Sequence, residues 1–91
     1  MKEILNFFIV QEFQIFLKTL ENDTFSLFVR PSFTEKKVYT MASAITGVGV
    51  EELRLIFGSK NLSSKGEKTM QEMKLEKNNT VYSLLRLKGG R

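Results

Sequence analysis

The chain has 91 residues, 42% of them hydrophobic with one proline, which is the length and composition of one globular domain. It has no cysteine and no histidine, so disulfides, a thiol nucleophile and the commonest general base and metal ligand are all excluded; neither an enzyme nor a cofactor is expected. The net charge is +4, but the basic residues are scattered among acids from Lys2 to Arg91, which describes solvated surface better than a nucleic-acid footprint.

Residues Met1 to Glu12 form an apolar extension in which Ile4, Phe7 and Phe8 have helical spacing, while Phe7 to Val10 would also pass as a strand. Glu3 and Asn6 interrupt its resemblance to a signal peptide, and Gln11-Glu12-Phe13 is no small-residue cleavage site. No apolar run reaches the length of a membrane span. The expectation is therefore an intracellular protein, cytoplasmic or nuclear, with no membrane or nucleic-acid partner. On that reading the sequons at Asn22, Asn61 and Asn78 are accidents of composition.

Phe13 to Leu20 alternates, with Phe13, Ile15 and Leu17 on one face and Gln14, Phe16 and Lys18 on the other. Glu21 to Thr24 is a polar turn, and Phe25, Leu27 and Val29 share a face in the next strand, so a hairpin is predicted. Phe16 and Phe28 both face outward and pair across it. Phe7, Phe8, Ile9 or Val10 is expected to fold back over that outer face, with a dimer through the same surface as the rival and a disordered leader as the plainer alternative.

Pro31 to Glu35 opens a helix, with Thr34 as N-cap and Ser32 with Glu35 as a competing capping box. Val38, Met41, Ala42 and Ile45 make its apolar stripe, and Gly47 stops it. Leu53 to Phe57 is a third strand turned at Gly58-Ser59. Ser63 to Lys68 is a loop, Met70, Met73 and Leu75 supply a short apolar turn, and Asn78-Asn79 leads into a last strand, Thr80 to Leu87. The order ββαββ fits an α+β sheet with one helix across one face.

The strand then runs into Leu84-Leu85-Arg86-Leu87-Lys88-Gly89-Gly90, which closely resembles the carboxyl end of ubiquitin. Phe13-Gln14-Ile15-Phe16-Leu17-Lys18-Thr19-Leu20 is similar to ubiquitin's first strand, and Leu53-Arg54-Leu55-Ile56-Phe57-Gly58-Ser59-Lys60 to its third. The resemblance runs from Phe13 to Gly90 with two residues inserted within Ser63 to Lys68. It divides the chain into the extension 1–12, a ubiquitin-like domain 13–85 and a flexible tail 86–91. The fold it implies is the β-grasp, with the first and last strands side by side in the middle of the sheet.

The same resemblance implies a protein modifier whose working atom is the Gly90 carboxylate. Activating, conjugating and ligase enzymes would pass that carboxylate from adenylate to thioester to the lysine amine of a target. Gly89 and Gly90 keep the tail slim enough for those active sites. Arg86 matches an arginine that the activating enzyme recognises, with Leu87 and Lys88 beside it; Lys88 keeps the charge of an arginine but loses its bidentate fork. Arg91 makes Gly90 an amide, so a processing protease is expected to cut between them. The alternative is a docking module that is never conjugated. A variant of the first reading is one half of a tandem, interferon-type modifier.

Ile56 matches the centre of ubiquitin's hydrophobic patch, and Leu20, Tyr82 and Leu84 match its rim, with Tyr82 in place of a histidine. Ubiquitin-binding domains are the partners this implies. Lys18, Lys60 and Lys77 match lysines that carry chains, whereas Asp23, Tyr39, Met41 and Ile45 replace others. The chain departs from the family at Glu35, which stands for a buried aliphatic, and at Ser83, which stands for an inward leucine. Phe33 and the extension are expected to repack around both.

Overall fold

The computed structural model describes residues 12–85; residues 1–11 and 86–91 lie outside the described residues, and with them the N-terminal fold-back and the whole tail. Strands β1 (Phe13–Thr19) and β2 (Thr24–Val29) form the expected hairpin, paired from Phe13↔Val29 to Lys18↔Thr24. The turn between them is Leu20–Asp23, and Asn22 takes φ 70 there, a conformation that asparagine tolerates well. Helix α1 (Glu35–Thr46) follows, then a short 3₁₀ turn (Val50–Glu52), β3 (Leu53–Phe57), the two-residue β4 (Lys60–Asn61) and β5 (Thr80–Leu85).

The sheet order is β2-β1-β5-β3-β4, with β1 and β5 parallel and every other pair antiparallel. The first and last strands thus occupy the middle, as a β-grasp requires. β4, too short to show alternation, and the 3₁₀ turn are the elements that the sequence pattern does not announce.

Period-two alternation decides which side of the sheet is dry. Ile15, Leu17, Leu27, Val29, Leu53, Leu55 and Val81 point toward α1 and are buried. From the helix come Val38, Tyr39 and Ala42, and the closing loop adds Leu62, Met70, Met73 and Leu75.

The helix stripe differs from the expected one. Residues 35, 38, 39 and 42 are buried, while Met41 is half-buried and Ile45 is exposed. Tyr39 joins the core because its hydroxyl has two partners there: it donates to the Leu62 carbonyl at 3.1 Å and accepts from the Leu55 N–H at 3.0 Å. A buried phenol satisfied on both sides behaves as an apolar ring with a built-in strut.

The start of α1 also resolves one departure from the family. Thr34 is the N-cap and accepts from the Lys37 N–H. The Ser32–Glu35 box does not form, because the Glu35 carboxylate turns inward and accepts from the Ser63 and Lys68 N–H groups at 3.1 and 3.3 Å. The loop reciprocates: Glu35 and Lys36 donate their backbone N–H groups to the carbonyls of Lys68 and Gly66. Donors that a helix start leaves free are thereby used. At the other end, Gly47 closes α1 at φ 78 and returns its N–H to Ser43.

A second capping box does form where only an apolar turn was expected. Thr69 and Glu72 exchange side-chain-to-backbone hydrogen bonds at 2.9 and 3.1 Å, which orders Met70 and Met73 for burial.

Candidate interaction surface

The face of the sheet turned away from α1 carries the even-numbered residues of β1, β2, β3 and β5. On it Ile56 and Tyr82 lie directly opposite each other across β3 and β5, and Lys18 faces Tyr82 across β1 and β5. Leu84 is opposite Arg54. Leu20 follows β1, 69% exposed, and lines a shared cleft with Leu84. Ile56, Tyr82 and Leu84 are therefore brought to one face, and Leu20 to the cleft at its end beside Leu84. Ile56 and Leu84 are half-buried and Tyr82 exposed, the profile of an apolar centre with an accessible rim.

Lys18 borders that centre, and Arg54, which sequence reasoning passed over, borders it from β3, donating from Nε to the Asn61 side chain at 3.4 Å. Lys60 lies exposed on β4 and Lys77 exposed in the approach to β5. Of the three lysines, Lys18 is half-buried.

The sequence also did not reveal a cleft of about 180 Å³ at the end of the sheet from which the tail departs. Leu20, Phe25, Val48, Leu84 and Leu85 give it apolar walls, while Glu21 and Asp23 make it acidic on one side. Ser83 lies within it, 5% exposed. Phe33 packs against the core but is not part of this lining, so it does not fill the space that a leucine at 83 would take. Among the described residues the small side chain borders an opening; the extension, also expected to repack here, lies outside them. Among the described residues no buried side-chain nitrogen or oxygen lacks a partner, so the hydroxyl is not sealed away unmet. The signal for the cleft was present in the sequence as the Ser83 departure.

Among the described residues no group of three acidic, histidine or cysteine side chains could hold a metal ion, and no helix is long and apolar enough to cross a membrane.

The conjugation residues Gly89 and Gly90, the recognition residues Arg86, Leu87 and Lys88, and Arg91 lie outside the described residues. Their base is fixed nonetheless: β5 is flanked by β1 and β3, and its last described residue, Leu85, pairs with Leu53.

A model described as the ubiquitin family matches residues 15–88, a range that takes in all of β5, the Ile56–Tyr82 pair and the first residues of the tail. With the β-grasp order of its strands and this match over most of its length, the chain belongs to the ubiquitin family.

Proposed function

We propose that the protein is a modifier, joined through the Gly90 carboxylate to lysine amines of target proteins after Arg91 is removed. The observation that carries this reading is the junction at Leu85. A central strand, paired on both sides to Ser83 and with β3 as far as Leu85, leads without a linker into Arg86-Leu87-Lys88-Gly89-Gly90. A rigid base and a side-chain-free tip are what a tail needs to reach a buried active site.

The chemistry is acyl transfer. The Gly90 carboxylate attacks the α-phosphate of ATP, pyrophosphate leaves, and the resulting acyl adenylate passes to an enzyme thiol with loss of AMP. A lysine amine then displaces the thiolate to give an isopeptide. The chain supplies the acyl group and the recognition surface, and its partners supply the thiols. It acts as a substrate and not as a catalyst, in the cytoplasm or nucleus where such enzymes work.

The test offers two forms, one ending at Gly90 and one at Arg91, to a ubiquitin-type activating enzyme with ATP. Charging of the Gly90 form alone, as a thioester lost on adding reductant, supports a processed modifier. Failure of both forms with ubiquitin-type and dedicated activating enzymes counts against it.

A second reading is favoured by the Ile56–Tyr82 pair. An apolar centre with Lys18 and Arg54 at its border suits a non-covalent receptor with an apolar contact and an acidic rim. That function would need neither Gly89 nor Gly90. Substituting Ile56 would abolish it, whereas truncating the tail would leave it intact.

A further inference from the structure

A second aromatic surface lies on the same outer face, toward the β2 edge. Phe28 is 57% exposed on β2, and Phe16 is its diagonal neighbour on β1, since Phe28 is opposite Gln14 and Phe16 opposite Ser26. Diagonal partners are within reach of each other when the side chains are aromatic. The residues around them are Gln14, Ser26 and Thr80. Two neighbouring aromatic rings in a polar setting form a patch, unlike a lone exposed side chain.

We propose that the chain covers this patch with its own residues Phe7 to Val10. Three observations point to that occupant. The segment is the apolar run Phe7-Phe8-Ile9-Val10, joined to the first described residue only through Gln11. Its point of attachment lies near the patch: Glu12 and Arg30 form an ion pair at 3.4 Å, two positions along the hairpin from Gln14 and Phe28. The distances also fit. A layer packed on a sheet sits about 10 Å away. The four residues from Glu12 back to Phe8 span up to about 13 Å at roughly 3.3 Å per residue.

So short a connection makes loop closure inexpensive in entropy. It also holds the segment at a local concentration on the order of millimolar, well above what a second copy offers in dilute solution. Phe16 is also diagonal to Tyr82 across β1 and β5, with Lys18 beside both, so the covered area ends at the border of the Ile56–Tyr82 surface. The extension then acts as a built-in cover that makes the second surface unavailable to partners. This inference is independent of whether Gly90 is conjugated.

The test is a double-mutant cycle in the full chain, followed by thermal unfolding. One variant carries Phe28→Ser, one carries Phe7→Ser with Phe8→Ser, and one carries all three. Because Phe28 is exposed, its substitution leaves the core untouched. Each of the first two is expected to lower Tm by about 5 °C, and the triple variant by little more than either. Losses that add, or a Phe7/Phe8 variant with unchanged Tm, would overturn the proposal. So would a doubled mass by sedimentation with a Tm that rises with concentration, because a second copy would then be the cover.

Discussion

The carboxylate of Glu35 lies so close to Gly66 that a methyl group added there would overlap it. The buried acid thus helps fasten the 63–68 loop to the start of α1, beside the backbone bonds of Glu35 and Lys36. Gly66→Ala should cost about 1–3 kcal/mol through forced displacement. Glu35→Leu, which restores an aliphatic side chain, should destabilise by about 2 kcal/mol or more, because the Ser63 and Lys68 N–H groups lose their acceptor. Denaturant unfolding measures both. The same two amides should exchange faster with solvent in Glu35→Leu. A stabilised Glu35→Leu variant would show that the loop does not depend on this contact.

Tyr39 offers a cleaner test of buried polarity. Tyr39→Phe keeps the ring and removes the hydroxyl that links Leu55 to Leu62. The expected loss is about 1–3 kcal/mol with the fold unchanged, read from denaturant midpoints at constant m-value.

These two positions also show where the sequence stops being legible. Alternation in Phe13 to Leu20 and in Phe25 to Val29 places the hairpin and its inward faces directly, because a strand's period is local. Ile56, Tyr82, Leu84 and Leu20 are legible by resemblance; the β3–β5 register brings the first three together, and Leu20 shares a cleft with Leu84. Tyr39 was not recognised as core, since its burial depends on a carbonyl and an amide distant in sequence. Glu35 looked like a mismatch for the same reason: its partners belong to a loop 28 or more residues away. The Ser83 cleft is the remaining case, where a departure from the family could be seen but not whether the neighbours would close over it.

Ser83→Leu should fill that cleft. Covering its apolar walls with a buried leucine is expected to raise stability by about 1–2 kcal/mol. Calorimetry checks this, and a fall in Tm would mean that the space is too small for the side chain.

Ile56→Ala should change stability little, as the residue is only half-buried, yet remove the centre of the Ile56–Tyr82 surface. Titration against domains that bind ubiquitin should show a loss of about 2 kcal/mol or more if the surface is a binding hot spot. Arg54→Ala should act mainly on association rate and salt dependence. Equal affinity of the Ile56→Ala and unmodified chains would place recognition elsewhere.

The most direct measurement of the modifier reading is mass spectrometry of tagged protein recovered from cells under denaturing conditions. Cleavage after glutamate leaves a branch of residues 77–90 on any modified lysine, because Glu76 is the last acidic residue in the chain. That branch differs in sequence from the one ubiquitin leaves, so the two cannot be confused. A modifier gives target peptides whose lysine Nζ is bonded to Gly90, with Arg91 gone. Recovery of only unbranched peptides that still end in Arg91, from cells where the protein is abundant, would contradict it.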